Sequence, residues 1–215
     1  MDENYKKNVV LVGKEFDGIE LGKDFYLDFN QVKNLLVSGT TGAGKSIFLH
    51  VLYDQISEQN KAAEFYLFDP KRIEFWKESK KGNATWVRGP EEVEKALSEL
   101  KVKLDSLDHN LYLIVDELAN YMGGLDKEFI GLIQRKNPFF HFIASSQVAS
   151  MRKLQGLFPY IPNRMAFAQS SVIDSKAIIG RSGLELLKGR GDGLAIINGE
   201  TTRVQIIWKN LKGRK

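Results

Sequence analysis

The sequence has no cysteine, which excludes disulfides, thiolate metal sites and cysteine nucleophiles. Its three histidines, His50, His109 and His141, lie far apart without the spacing of metal ligands, and we interpret them as structural residues. No apolar run approaches the ~20 residues that span a bilayer. The first residues, MDENYKKN, are charged where a signal peptide is apolar. These absences predict a cytoplasmic protein with no membrane span of its own.

The composition is that of a globular domain. The chain has 215 residues, of which 43% are hydrophobic and 27% are charged. This length suits one large α/β domain, or one domain with an appendage, and it allows a sizeable core. The formal net charge of +4 permits a polyanionic partner without demonstrating one.

Short apolar runs alternate with helical periodicity along most of the chain. This alternation predicts an α/β fold with a mostly parallel sheet covered by helices on both faces. We expect a short β-rich lead-in at 1–33, a core at 34–210 and a basic tail at 211–215. Strands are predicted at 35–39, 64–70, 85–88, 111–117, 139–147, 164–169, 193–198 and 202–208, and helices at 46–56, 91–107 and 126–136.

The segment GTTGAGKS fits the phosphate-loop pattern G-x-x-x-x-G-K-[ST], and it follows a predicted strand and opens an amphipathic helix. Its glycines let the backbone turn N–H groups inward around phosphate oxygens. Lys45 is expected to reach the β- and γ-phosphates of ATP, and Ser46 to bind Mg²⁺ through its hydroxyl. The nucleotide-binding residues that this motif predicts are Gly39, Thr40, Thr41, Gly42, Ala43, Gly44, Lys45, Ser46 and Ile47.

Two acidic residues, Asp116 and Glu117, end an apolar strand. Asp116 is expected to hold the Mg²⁺ shell, and Glu117 to polarise a water for attack on the γ-phosphate. The alternative is that Glu117 only caps the strand end. The strand candidates at 64–69 and 85–88 leave room for an extra strand between the phosphate-loop strand and the Asp116 strand, which is the arrangement of RecA-like motor ATPases.

A glutamine, Gln147, ends the predicted strand at 139–147. If this strand neighbours the strand of Asp116, Gln147 lies near the γ-phosphate and can report the nucleotide state to the loop that follows. That loop, at 148–156, contains Arg152 and Lys153.

Several ordered segments resemble the motor domain of FtsK/SpoIIIE-type DNA translocases, within the FtsK–HerA group of RecA-like ATPases. The resemblance runs from about Val9 to Trp208. It departs from the family where Leu118 replaces phenylalanine and where Val148-Ala149 replaces Arg-Pro. The similar segments are LLVSGTTGAGKS, FDPKRIEF, LIVDELANYM, HFIASSQ and the stretch from IPNRMAF to RGDGL at 161–194.

The resemblance implies a ring, usually a hexamer, with ATP sites between subunits and double-stranded DNA in the channel. A neighbouring subunit then supplies an arginine finger, for which Arg135 is the first candidate and Arg164 the second. Two loops, at 120–127 and 148–156, are expected to face the channel. Phosphate contacts are expected from Lys127, Arg152 and Lys153. The basic clusters at Lys71-Arg72, Lys77 and Lys80-Lys81 either add to this surface or form a solvated face.

Nothing in the sequence resembles the membrane-spanning or winged-helix regions of the chromosomal translocases, so we expect a minimal motor of a plasmid, phage or mobile element. A genome-packaging or conjugative-transfer ATPase, served by a separate DNA-loading or membrane-docking protein, is the near alternative. A nucleotide-dependent switch protein that does not move DNA is the alternative of another class.

Overall fold

A computed structural model describes residues 8–72, 74–75, 77–78 and 82–207. Its strands are β1 (Val9–Phe16), β2 (Leu21–Asp28), β3 (Asn34–Ser38), β4 (Glu64–Phe68), β5 (Ala84–Val87), β6 (Leu111–Val115), β7 (Phe140–Ser146), β8 (Asn163–Phe167), β9 (Asp192–Ile197) and β10 (Glu200–Ile206). Its α-helices are α1 (Lys45–Gln59), α2 (Pro90–Lys103), α3 (Asp126–Ile133) and α4 (Val172–Ile179). Segments of 3-10 helix lie at Leu118–Asn120, Val148–Tyr160 and Leu184–Leu186.

All these strands form one sheet in the order β2-β1-β10-β9-β8-β3-β7-β6-β4-β5. The strands from β8 to β5 run parallel, whereas β9, β10, β1 and β2 extend the sheet by antiparallel pairing. The predicted α/β fold is therefore confirmed. The extra strand between the phosphate-loop strand β3 and the Asp116 strand β6 is β7. The candidates at 64–69 and 85–88 instead lie beyond β6, as β4 and β5.

Two apolar cores cover the two faces of the sheet. Helix α1 packs on one face, where Phe48 and Leu52 meet Leu35 and Val37 of β3. Helices α2, α3 and α4 and the long 3-10 segment pack on the other face, against Leu36 and its neighbours. Successive residues of β3 thus face opposite layers, as expected of a strand that is buried on both sides.

The bounds of helix α2 and the structure of the segment after β7 differ from the predictions. Helix α2 begins at Pro90 with Glu91 and Glu92 in its first turn and Lys101 and Lys103 in its last, which suits the helix dipole. It ends at Lys103, four residues before the predicted end. The predicted loop at 148–156 is wrong, since a 3-10 helix spans Val148–Tyr160.

Strand β1 pairs with β10, so residues of the predicted lead-in share the sheet of the core. The contact is close: a Cβ at Gly13 would lie 2.3 Å from the Gln205 carbonyl oxygen. Only glycine fits there. The boundary at residue 33 stays a prediction, and the basic tail at 211–215 lies outside the described residues. Within the described part of the chain, no helix is long and apolar enough to cross a membrane.

Candidate nucleotide site

The phosphate loop joins β3 to α1 at the carboxyl edge of the sheet. Gly42 and Gly44 have φ of 77° and 125°, in the region that favours glycine. A Cβ at Gly44 would also lie 3.0 Å from the Gly191 nitrogen. The Gly191 N–H donates to the Ala43 carbonyl at 2.9 Å, and the Thr40 N–H donates to the Ala168 carbonyl at 3.1 Å. Residues after β8 and before β9 therefore brace the loop.

The Lys45 ammonium lies inside this loop. Its Nζ donates to the carbonyl oxygens of Gly39 at 2.8 Å and Thr40 at 3.1 Å. Burial lowers the pKa of Lys45, while the carboxylates of Glu117 and Asp116 oppose that shift. A mostly buried lysine flanked by two acids is an electrostatic partner for phosphate oxygens.

The acidic pair is held by the neighbouring strand β7. The register Val115↔Ala144 places Asp116 beside Ser145. The Ser145 hydroxyl donates to Asp116 Oδ1 at 2.6 Å and accepts from the Glu117 N–H at 3.0 Å. Burial raises the pKa of Asp116, against the lowering effects of this hydrogen bond and of Lys71. A cation beside Asp116 would therefore be favourable.

Glu117 has a left-handed backbone, with φ 49° and ψ 60°. For a residue other than glycine this conformation costs about 1 kcal/mol or more, and such residues cluster at functional sites. Its side chain is buried, and Oε1 accepts hydrogen bonds from the Ser146 hydroxyl at 3.1 Å and the Gln147 N–H at 3.0 Å. The turn thus fixes the carboxylate against the end of β7.

These groups converge on one cavity of about 150 Å³. The Ser46 hydroxyl and the Asp116 carboxylate are the oxygen donors that Mg²⁺ prefers, and they line the same cavity, so these residues fit the ion. Of the other predicted nucleotide residues, Gly39 and Thr40 accept hydrogen bonds from Lys45 through their carbonyl oxygens, and Ala43 is buried. The lining residues are Thr41, Gly42, Gly44, Lys45, Ser46, Ile47, Lys71, Asp116, Glu117 and Gln147.

Sequence reasoning missed three residues of the site. Lys71 lines the cavity with its Nζ 4.0 Å from Asp116 Oδ2, although the sequence suggested only a basic surface cluster for it. Ser145 and Ser146 hold the acids from β7. Two serines at the end of an otherwise apolar predicted strand were the available signal for them. In the other basic clusters, Lys77 is exposed, and residues 80–81 lie outside the described chain.

The two arginine-finger candidates lie near the amino-terminal edge of the sheet, away from the cavity. Arg135 follows α3, donates to the Lys101 carbonyl at 2.6 Å and pairs with Asp105. Arg164, near the start of β8, stacks over the Phe158 ring at 5.1 Å. Neither lines the cavity of its own subunit within the described residues.

The candidate DNA contacts lie on segments that follow β6 and β7. Lys127 is exposed in the first turn of α3, so the last two residues of the predicted loop at 120–127 are helical. Lys153 is exposed on the 3-10 helix Val148–Tyr160, and the side chain of Arg152 lies outside the described part of the chain.

Residues 1–194 match the sequence model of the FtsK/SpoIIIE family. The chain belongs to this family. It is 30% identical over 237 residues to the DNA translocase FtsK of Staphylococcus epidermidis, covering 91% of this chain and 29% of the relative. The chain therefore spans less than a third of that protein's length.

Solved structures resemble this family member in fold. The conjugation coupling protein TcpA of pCW3, solved as a monomer with ATPγS, superposes with a TM-score of 0.75 at 20% identity, covering 99% of this chain and 70% of TcpA. EssC (ATPases 2 and 3) from Geobacillus thermodenitrificans gives a TM-score of 0.77 at 16% identity, covering 93% of this chain and 44% of EssC. At these identities the likeness concerns the fold alone.

Proposed function

We propose that this protein is a motor subunit that hydrolyses ATP with Mg²⁺ and uses the energy to move along double-stranded DNA. The observation that carries the proposal is that the predicted site residues line one cavity at the carboxyl edge of the sheet. There Lys45 and Ser46 of the phosphate loop meet Asp116, Glu117 and Gln147 from two neighbouring strands. Membership of the FtsK/SpoIIIE family supports DNA as the track.

The residues have separate tasks in hydrolysis. Lys45 donates to β- and γ-phosphate oxygens, and Ser46 and Asp116 would hold Mg²⁺, which neutralises phosphate charge when it is bound. Glu117 orients a water and accepts its proton as the oxygen attacks the γ-phosphorus. The bond to the β-γ bridging oxygen breaks, and ADP and phosphate leave.

Hydrolysis is coupled to DNA through Gln147 in this proposal. Its N–H bonds to Glu117, and the 3-10 helix Val148–Tyr160 starts at the next residue. Lys153 on that helix, Arg152 beside it and Lys127 contact DNA phosphates rather than bases, since a motor must travel over any sequence.

The working form is a homo-oligomeric ring, a hexamer by the family pattern, in which a neighbour supplies the arginine finger. Arg135 is the first candidate and Arg164 the second. The position of both near the sheet edge opposite the cavity favours a role across the subunit interface over a role in the same subunit.

We infer that this motor belongs to a plasmid, phage or mobile element and works in the cytoplasm. A conjugative-transfer or packaging ATPase is the second candidate, since the conjugation coupling protein TcpA has the same fold and the fold therefore suits either task. In that case a separate DNA-loading or membrane-docking protein would be the partner, and co-purification with membrane components of a transfer system would distinguish the two.

The test is ATP hydrolysis with and without linear duplex DNA, at about 50 and 200 mM salt, together with displacement of a triplex-forming strand from that DNA. We expect stimulation that falls steeply with salt, since phosphate contacts release counterions. Lys45→Ala should abolish both activities. Hydrolysis without DNA stimulation or strand displacement at low salt would favour the switch alternative.

A further inference from the structure

A short loop follows β4 and carries two charged side chains toward the nucleotide site. Strand β4 pairs with β6 in the register Phe68↔Val115, and the Asp116 N–H donates to the Phe68 carbonyl at 2.9 Å. The loop therefore leaves the sheet at the level of Asp116. Its described residues include Lys71 and Glu74, and the phosphate-loop motif assigns no function to either of them.

Asp69 fixes the shape of this loop. It is fully buried, and its Oδ2 accepts hydrogen bonds from the N–H groups of Glu74 at 2.8 Å and Phe75 at 3.1 Å, and from Trp86 Nε1 at 3.3 Å. Arg72 takes a left-handed backbone with φ 62°, and its N–H donates to the Asp69 carbonyl at 3.1 Å. A buried carboxylate with three donors, together with the strained backbone of Arg72, holds the described residues of the loop in a defined conformation.

The two charges of the loop meet the two expected magnesium ligands. Lys71 Nζ lies 4.0 Å from Asp116 Oδ2, and interactions with His50 and, to a lesser extent, with the Ser46 hydroxyl lower the pKa of Glu74. Lys71 also lines the cavity, and its side chain is 47% exposed, so the ammonium can leave Asp116 without unfolding anything. The loop therefore lies on the side of the cavity where Mg²⁺ is expected to bind.

The strand order indicates which phosphate Lys71 can reach. Lys45 approaches from β3, Glu117 lies at the end of β6 and Lys71 follows β4, on the far side of β6 from the phosphate loop. A triphosphate that runs from the loop toward Glu117 presents its terminal phosphate between the two lysines. The α- and β-phosphates remain with the backbone N–H groups of the loop.

We propose that Lys71 is a second phosphate-binding lysine, positioned by Asp69, which pairs with Asp116 in this structure and binds the γ-phosphate of ATP. The inference rests on the proposed function. It assigns Lys71 to recognition of the triphosphate over the diphosphate, because ADP has no group at that end of the cavity.

The test is calorimetric titration of ATPγS and ADP, each with Mg²⁺, into the wild type, Lys71→Met and Lys71→Arg. Loss of a charge-assisted hydrogen bond should weaken ATPγS binding by about tenfold or more in Lys71→Met and leave ADP affinity within about twofold. Lys71→Arg should recover part of the ATPγS affinity. Lys95→Met, an exposed lysine on α2 paired with Glu99, is the matched control and should bind both nucleotides as the wild type does.

Equal weakening of ATPγS and ADP in Lys71→Met would overturn the proposal, since it would mean that Lys71 only supports Asp116. Unchanged affinity for both would overturn it as well. If the wild type bound neither nucleotide, the proposed function itself would fail. Circular dichroism and thermal unfolding would establish that the variants fold, and if Lys71→Met did not, Lys71→Gln would take its place.

Discussion

The backbone N–H of Gln147 donates a hydrogen bond to Glu117 Oε1 at 3.0 Å, and this bond joins the end of β7 to the carboxylate expected to activate water. The next residue, Val148, begins the 3-10 helix that packs among α3, α4 and the short helix after Glu117. A change in the hydrogen bonding of Glu117 therefore acts directly on the start of that helix.

Glu117→Gln should reduce ATP turnover by about 10²–10⁴-fold and leave ATP binding intact, because the amide keeps the size of the side chain but cannot take a proton. Single-turnover hydrolysis and equilibrium binding would measure the two effects separately. Glu94→Gln, an exposed residue on α2, is the control. Undiminished hydrolysis in Glu117→Gln would mean that another group activates the water.

Ser145→Ala should destabilise the fold by about 1–3 kcal/mol, because it leaves the buried Glu117 N–H and Asp116 Oδ1 without their shared partner. Urea denaturation would measure this loss, and Ser145→Thr should restore most of it by returning the hydroxyl. Ser98→Ala, an exposed serine that bonds to the Glu94 carbonyl on α2, should change stability little. A neutral Ser145→Ala would show that the strand pairing alone holds the acids.

Mixing two inactive variants should restore ATPase activity if Arg135 acts on a neighbour's site. An Arg135→Ala subunit still offers an intact Glu117, and a Glu117→Gln subunit still offers an intact Arg135, so some interfaces in a mixed ring contain both. Steady-state ATPase activity across mixing ratios is the measurement. Lys136→Ala, at the next exposed position, should be active alone. Complementation with Arg164→Ala instead would assign the finger to Arg164.

His141 should make the protein lose stability in acid. Burial in β7 lowers its pKa to about 3 from 6.5, with Nε2 bonded to Asn110 Oδ1 and the ring stacked 4.5 Å from Tyr112. Below about pH 6.5 the unfolded chain binds a proton that the folded chain refuses, so stability falls as the pH drops toward 3.

Between pH 7 and pH 4.5 this difference amounts to about 2.5 kcal/mol. His141→Gln should flatten that dependence in urea denaturation, whatever its cost at neutral pH. The partly buried His109 is the opposite control. Hydrogen bonding to Asp108 raises its pKa, so its contribution is present at low pH and is lost as the pH rises. An equally steep acid slope in His141→Gln would place the sensitive group elsewhere.

The parts of the site that depend on local pattern could be predicted from the sequence. The phosphate loop needs only spaced glycines, a lysine and a serine between a strand and a helix. Asp116 and Glu117 are recognisable as two acids at the end of an apolar run. The parallel sheet follows from the alternation of strands and helices.

The parts that depend on strand order could not be predicted in the same way. Lys71 reaches the cavity because β4 pairs with β6, and a charge count cannot distinguish that position from a solvated lysine. The inserted strand proved to be β7, because periodicity identifies strands but does not order them. Arg135 already has a partner in Asp105, which lies thirty residues away in sequence and next to it in space.

The pairing of β1 with β10, tight enough to require Gly13, also constrains how the chain is made. On the ribosome β1 emerges well before β10 and can pair with β2, but its other edge has no partner until β10 has been synthesised. An open strand edge during synthesis invites association with other chains. A stalled product that ends before Glu200 would keep that edge exposed, and we expect it to depend on chaperones more than the full-length chain does.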